Sequence, residues 1–517
     1  MNIKDRRERI ADVMAVYIVA PTQENFRIIK SDMENRVFDN YYINFTSKCD
    51  DFQPFFSDII KTDNYNRIYK IVVNPISYFL YHPQVFSLNI QDTYQMLNSP
   101  NVKENEINNY FDQVGVGLFN VLFNLKTIPI IRYRTGWFAE SIVEIIQNNF
   151  NQTFDKFPEL KEDFPRKNNT LLLILDRDTD LPIMMHHAPS LGSMINDLFG
   201  VVTNDSKGNK FKIDPLADHI WNKYLSINFV DAKENIMKDL IKVNEETSFL
   251  DQTKNKNPEN IELISEKISN ALEGLRDTTI RQEVLNKHVK FQEKMSKEID
   301  ERNLGLFYQF EESLLSKRTI TDKTKTTFFD IINLKTFKPK DINKSKVDIL
   351  RLCLIYFLIN SKITNKEIED IEKALSNIDP KLKTSFDYLK QKRNFEESLK
   401  RGNTEQESGF LQKSFSFFVN KVGSLMNTEQ SSMVADISNS LAGNKEVNNF
   451  VTYNILKKGQ DKSMYNITQV IVFIVGGGSF AEYEYIEELL SKNSKNVIFI
   501  NLAYLWDRLH IQPGGIC

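Results

Sequence analysis

Asp176-Arg-Asp178-Thr-Asp180 follows the apolar run Leu171 to Leu175 and is the acidic cluster best placed to do chemistry. Such a run reads as a buried strand of a parallel sheet, and α/β sheets gather their ligands at strand carboxyl ends. Two aspartates there hold Mg²⁺ in phosphoryl-transfer enzymes. An aspartyl-nucleophile phosphatase, however, wants Asp-x-Asp-x-Thr, whereas here Thr179 falls one position early and Asp180 takes the fifth. The competing reading is structural, with the carboxylates capping turns and pairing Arg177. The glycine corner Gly476, Gly477 and Gly478 is the second candidate, because it ends the strand-like run Val470 to Val475 and opens a helix-like segment through Glu482. A Walker loop needs Lys-Ser/Thr after its last glycine, and Ser479-Phe480 supplies none. A dinucleotide loop would want Gly-x-Gly-x-x-Gly, which Phe480 and Ala481 break, and Glu482 and Glu484 would repel a pyrophosphate. A tight turn is the expectation. His186-His187 is the third candidate, as a zinc pair or a general base. Adjacent side chains point to different sides of a helix or strand, and no Cys or third His stands near. No Ser-His-Asp or Cys-His set stands out. The expectation is no catalytic residue, no metal and no cofactor, against a rival metal-dependent phosphotransferase or glycosyltransferase built on Asp176 and Asp178.

The elements that must position these residues alternate in type. Val13 to Val19 reads as a buried strand, after which Pro21 and Thr22 open a helix with Phe26, Ile29, Met33 and Val37 on one face. Tyr41 to Phe45, Ile68 to Val73 and Val85 to Leu88 read as further strands, Val114 to Leu125 as a helix, and Ile128 to Arg132 as extended. Leu171 to Leu175, Val470 to Val475 and Asn496 to Ile500 complete a mostly parallel sheet. Between them the chain turns helical. Val284, His288, Phe291, Met295 and Ile299 form a stripe, and Pro258 breaks a polar segment between two helices of a hairpin. Val347 to Asn360 is an apolar helix, and Thr364-Asn-Lys-Glu367 is a capping box. The fold class is therefore an α/β parallel-sheet domain split in sequence by a large, mostly α-helical insertion. After the polar linker Gly402 to Ser408, Leu411, Phe415, Phe418, Val422 and Leu425 make the stripe of an amphipathic helix, read either as core packing or as a lid or membrane-surface helix.

Composition narrows the partners. The chain has 517 residues, with 66 Lys plus Arg against 69 Asp plus Glu, a formal net charge of -3. That balance argues against general nucleic-acid binding. Three cysteines, Cys49, Cys353 and Cys517, lie far apart in no metal-ligand pattern and suit a reducing compartment. Met1 to Arg9 lacks the apolar run of a signal peptide, and no window approaches the roughly 20 apolar residues of a membrane span.

Taken together, these motifs resemble the Sec-one/Munc-eighteen (SM) family of SNARE-binding proteins, most closely its branch serving traffic between endoplasmic reticulum and Golgi. The likeness is carried by D-V-M-A-V-Y-I-V-A-P-T-Q-E-N-F from Asp12, Y-Y-I-N-F from Tyr41, I-P-I-I-R from Ile128 and L-L-L-I-L-D-R-D-T-D-L from Leu171 with His186-His187. F-Y-Q-F-E-E-S-L-L-S-K from Phe307 and I-V-F-I-V-G-G-G-S-F-A-E-Y near the end extend it. The resemblance implies an arch-shaped, non-catalytic SNARE-assembly chaperone. It would be cytoplasmic and peripheral at ER, Golgi and transport-vesicle membranes, with a Golgi or ER syntaxin-type SNARE and its SNARE partners as ligands. It implies an α/β domain first part at 12–185, a SNARE-cradling helical insertion at 186–464 with a regulatory loop near 402–458, and a last part at 465–517. SNARE contacts are expected on the hairpin at Ile268, Leu272, Leu275 and Val284. Asp176, Arg177, Asp180, Gly476, Gly477, Gly478 and Glu482 are expected to be structural. Three departures stand out: the family's first domain finds no counterpart before Asp12, Leu191 replaces a tyrosine, and Arg276 stands where relatives carry a helix-breaking proline, with Gly274 the nearest breaker.

Overall fold

The computed structural model describes residues 8–501 except 11, 47–52, 64–65, 75, 77, 91–92, 99–101, 136–137, 166–168, 200–212, 255–260, 337, 402–431 and 462, with backbone alone at 53, 95, 248–254, 261–277 and 395–401. The stripe Leu411, Phe415, Phe418, Val422 and Leu425 lies outside the described residues. Two compact units emerge, one of Met1–Phe79, Asn108–Pro129 and Ile142–Lys167, the other of the remaining chain.

In the first unit β1 (Met14–Val19), β2 (Asn40–Phe45) and β3 (Ile68–Val73) form a parallel sheet of their own in the order β1-β2-β3. Thr22 caps α1 (Gln23–Glu34) by accepting the Asn25 N–H. Phe26, Ile29 and Met33 on α1 then close a core with Tyr41, Ile43 and Phe45. α2 (Gln53–Thr62) packs beside α1. The sequence reading had placed these strands in the split domain. Alternation of strands and helices signals a parallel sheet but does not say how many sheets there are, and this one buries its face on its own helices. The chain thus carries a separate α/β module whose segments alternate in sequence with the first segments of the split domain. The expectation that such a module was missing rested on assigning these strands to the wrong sheet. Most of α4 (Glu104–Asn124) and α5 (Ala139–Lys156) belongs to this unit too, where Gly115 lets α4 approach α5 so closely that a Cβ would stand 2.5 Å from Ile145.

The second unit holds an eight-stranded sheet. Its strands are β4 (Phe79–His82), β5 (Val85–Ser87), β6 (Ile130–Arg134), β7 (Thr170–Asp176), β8 (Phe450–Asn454), β9 (Gly459–Gln460), β10 (Gln469–Val475) and β11 (Asn496–Asn501). Their order is β4-β5-β11-β10-β7-β6-β8-β9. β5, β11, β10, β7 and β6 run parallel, and β8 pairs antiparallel with β6. β7 and β10 are neighbours in register from Thr170 against Gln469 to Asp176 against Val475, although a helical segment separates them in sequence. That segment comprises α6 (Leu191–Phe199), α7 (His219–Tyr224), α8 (Phe229–Lys254), α9 (Ile261–Arg302), α10 (Leu304–Lys317), α11 (Asp322–Ile332), α12 (Ile342–Ile359), α13 (Asn365–Ile378), α14 (Pro380–Arg401) and α15 (Met433–Ala442). α16 (Phe480–Ser491) links β10 to β11, and the short α3 (Thr93–Leu97) follows β5. α10 to α14 share a core in which the rings of Phe328 and Tyr356 stack at 3.8 Å. Thr364 and Glu367 form the expected capping box of α13.

The second half of the expected regulatory loop is built into the sheet. α15 packs on α16, and β8 hydrogen-bonds β6. Arg132, from the I-P-I-I-R motif, donates to the Leu441 carbonyl at the end of α15, to Asn444 Oδ1 at 2.8 Å and to Thr452 Oγ1 at 3.1 Å. The split sheet therefore resumes at α15 and β8 rather than near residue 465, because one buried arginine gathers both onto β6.

Candidate functional site

The stretch from Asp176 to His187 leaves the sheet at the carboxyl end of β7 and meets six helices, α3, α10, α12, α14, α15 and α16. A single 3-10 turn, Arg177–Thr179, continues from the strand. Arg177 is buried and donates to both carboxylate oxygens of Glu482 at 2.8 and 2.6 Å, to the Gly477 carbonyl at 3.0 Å and to the Asp180 carbonyl at 2.5 Å. The arginine thus serves Glu482 of α16, not the neighbouring aspartate side chains as the sequence reading supposed. Burial would lower the Arg177 pKa, but Glu482 outweighs it and the value rises. Glu482 also completes a capping box with Ser479, accepting the Ser479 N–H at 2.9 Å. The signal was in the sequence, since Ser479-x-x-Glu482 has the capping-box spacing. Gly476 and Gly477 both have φ of 94°, where a Cβ is strained. At Gly478 an added Cβ would stand 2.6 Å from Phe499. The corner is a turn that brings α16 onto Arg177.

The three aspartates have separate duties. Asp178 accepts from Lys392 of α14 at 2.9 Å and from the Tyr94 hydroxyl at 3.0 Å. Asp180 pairs with Arg318 at 2.8 Å and accepts the Met433 N–H at 2.7 Å, which holds the first turn of α15. Asp176 is buried, its Oδ1 without a hydrogen bond, and burial followed by the Asp178 charge pushes it up to about 8. A carboxyl that keeps its proton at neutral pH is a poor Mg²⁺ ligand, and the other two already hold cationic side chains. Among the described residues, no group of three or more His, Cys, Asp or Glu is placed to hold a metal.

The histidine pair is the second fastening. Their side chains were expected to diverge, yet both reach Glu311 of α10, His186 Nδ1 at 3.2 Å and His187 Nδ1 at 2.8 Å. The backbone leaves the 3-10 turn Pro182–Met185 at His186 in neither helix nor strand, so the alternation rule does not hold. His187 Nε2 lies 3.0 Å from Asp348 of α12, which Arg302 also grips at 2.6 and 2.9 Å. Burial and Arg351 press the His187 pKa down, but Glu311 and Asp348 outweigh them and raise it. Glu311 would be pushed up by burial; His187 and His186 instead hold it at about 2. The cluster is a set of buried, paired charges joining β7 to α10 and α12.

α8 and α9 form an antiparallel hairpin whose pairing runs from Lys233 against Ser296 to Asn244 against Gln282 and Glu246 against Arg281. Its root is buried with the sheet through Ile236, Val243, Leu285, Phe291 and Met295. Val284 is half-buried and packs on this core, while Ile280, one turn earlier, is exposed. Ile268, Leu272 and Leu275 lie on the α9 backbone, with side chains outside the described residues. Sequence reasoning passed over α8, where Val230, Met237 and Ile241 expose apolar side chains at spacings of seven and four, with Val230 70% exposed. Among the described residues, no helix is long and apolar enough to cross a membrane.

Fold and frame together define the class: a parallel-sheet protein interrupted by a helical scaffold, with its conspicuous charged side chains engaged in fastening the two. The Sec1 family model matches residues 1–501, and the chain belongs to that family. It is 25% identical over 536 residues to the SEC1 family transport protein SLY1 of Arabidopsis thaliana, spanning 95% of this chain and 83% of the relative. To Protein SLY1 of Saccharomyces cerevisiae it is 24% identical over 580 residues, spanning 97% and 84%. Among solved structures it shares the fold of Sly1p in complex with an N-terminal peptide of Sed5p, with a TM-score of 0.69 at 22% identity over 96% of this chain and 83% of that one. The SM protein Vps45 in complex with the Qa SNARE Tlg2 matches with a TM-score of 0.67 at 16% identity over 97% and 86%.

Proposed function

We propose that this protein is a non-catalytic SNARE-assembly chaperone of ER–Golgi transport, peripheral at those membranes, that binds a syntaxin-type SNARE and aligns SNARE helices for coiled-coil nucleation. Disordered segments must be brought into register before a bundle can form, and a surface that holds them carries part of that ordering cost. The observation that carries the reading is the α8 stripe of Val230, Met237 and Ile241 on a hairpin rooted in the sheet core. Seven- and four-residue spacing matches the seam of a partner helix. Sly1p with a Sed5p peptide and Vps45 with Tlg2 supply the partner class. Ile268, Leu272 and Leu275 of α9 extend the proposed surface, and the segment holding Phe415 and Phe418 is proposed as a lid or membrane helix. The test is fluorescence anisotropy with the cytoplasmic segment of a Golgi syntaxin. Met237→Asp/Ile241→Asp weakens binding by about tenfold or more, as loss of buried anchors does, with the thermal midpoint unchanged. Equal affinity of variant and parent removes the hairpin from the reading.

A further inference from the structure

The α9–α10 junction separates two apolar cores. Leu285, Phe291 and Met295 of α9 pack with the sheet, whereas Phe307, Leu314 and Leu315 of α10 pack with α11 to α14. Only Asn303 stands between the two helices, in the left-handed conformation with φ 54° and ψ 44°, which asparagine tolerates. A one-residue connection between two cores is a hinge, because a φ/ψ change there moves one helix against the other. Charges span it. His187 lies between two carboxylates, its Nδ1 2.8 Å from Glu311 Oε1 of α10 and its Nε2 3.0 Å from Asp348 Oδ1 of α12. Asp348 in turn accepts from Arg302, the last residue of α9, at 2.6 and 2.9 Å. Glu311 also accepts the His187 backbone N–H at 2.8 Å and lies 3.2 Å from His186 Nδ1. Both carboxylates therefore act as acceptors. A neutral imidazole has a single N–H, so only the imidazolium can donate to both. Arg351 of α12 is the other charge near the ring, and it is tied to Asp197 of α6 at 2.6 Å. His186, on the far side of Glu311, reaches Glu312 at 3.2 Å. With both histidines protonated, these cations and anions balance one for one; loss of the His187 proton leaves a buried negative charge in excess.

We propose that His187 is a proton-operated latch on this hinge. As imidazolium it ties α10 and α12 to the foot of the hairpin, and as imidazole it lets α9 shift against the α10–α14 bundle about Asn303. Whichever nitrogen keeps its proton, the other turns a lone pair on a carboxylate, and the chain of contacts from Glu311 to Arg302 is cut once. Pairs of Lys344 with Glu298 and Glu301 remain, but they are partly exposed and contribute little each. The latch acts within the protein alone, so it does not depend on what the hairpin binds.

The experiment places spin labels on the whole chain at Lys294→Cys of α9 and Lys323→Cys of α11, both exposed, in a Cys49→Ser/Cys517→Ser background that keeps the buried Cys353. Double electron–electron resonance reads their separation from about pH 6 to about pH 9, across the histidine range and below that of lysine. One distance is expected at low pH. A second joins it as pH rises, its ratio to the first growing by up to about tenfold per pH unit, as loss of one proton requires. His187→Gln, with a single donor group, shows the second distance at every pH. Glu311→Gln shows only the first, because its amide donates to a neutral Nδ1 while Nε2–H donates to Asp348, and the latch stays shut without the extra proton. His186→Gln keeps the parent's pH response. A parent distance that does not change with pH overturns the inference, as does His187→Gln fixed at the first distance or Glu311→Gln opening like the parent. A response abolished by His186→Gln also overturns it, because the proton would then belong to the neighbouring ring.

Discussion

Replacing Arg177 by Met tests whether the motif at the end of β7 is frame or machinery. The guanidinium makes four hydrogen bonds and is 2% exposed, against a Glu482 side chain that is 0% exposed. Burial already holds Glu482 above its ordinary pKa even with Arg177 beside it. Without the arginine the carboxyl must take up a proton or remain charged in apolar surroundings. Breaking one side of such a pair costs about 3–5 kcal/mol, whereas neutralising both sides costs far less. Glu482→Gln keeps a side-chain oxygen for the Ser479 N–H, so Arg177→Met/Glu482→Gln preserves the helix cap and removes the stranded charge. The double variant should recover about 2 kcal/mol or more of the Arg177→Met loss as coupling. Trp221 is a suitable reporter because its buried ring packs edge-on at 5.8 Å against Phe480, the first residue of α16. In a Trp137→Phe/Trp506→Phe background, urea unfolding followed by Trp221 emission reads the relevant unit. A loss under about 1 kcal/mol for Arg177→Met, or strictly additive single variants, would refute the frame argument.

Asp176→Asn gives a pH signature. A carboxyl at about 8 when folded and 3.8 when unfolded binds more protons in the native state, so its contribution to stability falls as pH rises from about 4 to 8. Removing the titration makes the variant the more stable protein at pH 7, by about 1–3 kcal/mol, with the gap closing toward pH 4; parallel stability profiles would contradict this. Around Glu311 the signs oppose. The raised His187 stabilises below the unfolded histidine value and loses that effect as pH climbs through the folded one, while Glu311, held at about 2, stabilises above its unfolded value and loses that only near pH 2. His187→Gln should therefore flatten the alkaline side of the pH–stability curve and also shrink the stabilisation that Glu311 gives above its unfolded value, because it removes the foremost charge holding that carboxyl low, as measured by urea midpoints. Gly478→Ala forces Phe499 aside, at a cost of about 1–3 kcal/mol in the same unfolding assay. For the lid or membrane proposal, Phe415→Asp/Phe418→Asp should abolish flotation with liposomes, and equal flotation of parent and variant would remove it.

Much of the frame was legible because each element carries its own period. Leu171 to Leu175 and Val470 to Val475 announced central strands, and both sit where β-branched and leucine-rich runs belong, buried on two faces of a parallel sheet. Their adjacency was not legible, since nothing in either run specifies a partner across the intervening helices. The count of sheets was hidden for the same reason, and only the closed core of Phe26, Ile29, Tyr41 and Phe45 separates the first module. Arg132 read as an ordinary strand residue, although its guanidinium determines where the sheet resumes. The exposed stripe on α8 went unread because Val230, Met237 and Ile241 share the helical period with the buried Ile236 and Val243. Periodicity finds two apolar faces there without telling which one meets solvent.

The division of labour follows from where the charges went. Asp178 holds α14, Asp180 holds α10 through Arg318 and the first turn of α15, Arg177 holds α16, and the histidine pair holds α10 and α12. The eleven residues from Arg177 to His187 thus fasten α10, α12, α14, α15 and α16 to the sheet, whereas the α8–α9 hairpin is rooted by apolar packing, by His288 against Asp218 at 2.9 Å and by Arg302 against Asp348 at 2.6 Å. Buried ion pairs are geometrically exacting and tolerate little sliding. Apolar contact along a helix stripe is less directional. A protein so arranged is stiff at its mount and adaptable along its hairpin, which is the distribution that a surface receiving partner helices requires. Substitutions in the frame should alter stability at every partner concentration, whereas substitutions at Met237 and Ile241 should alter affinity and leave unfolding untouched.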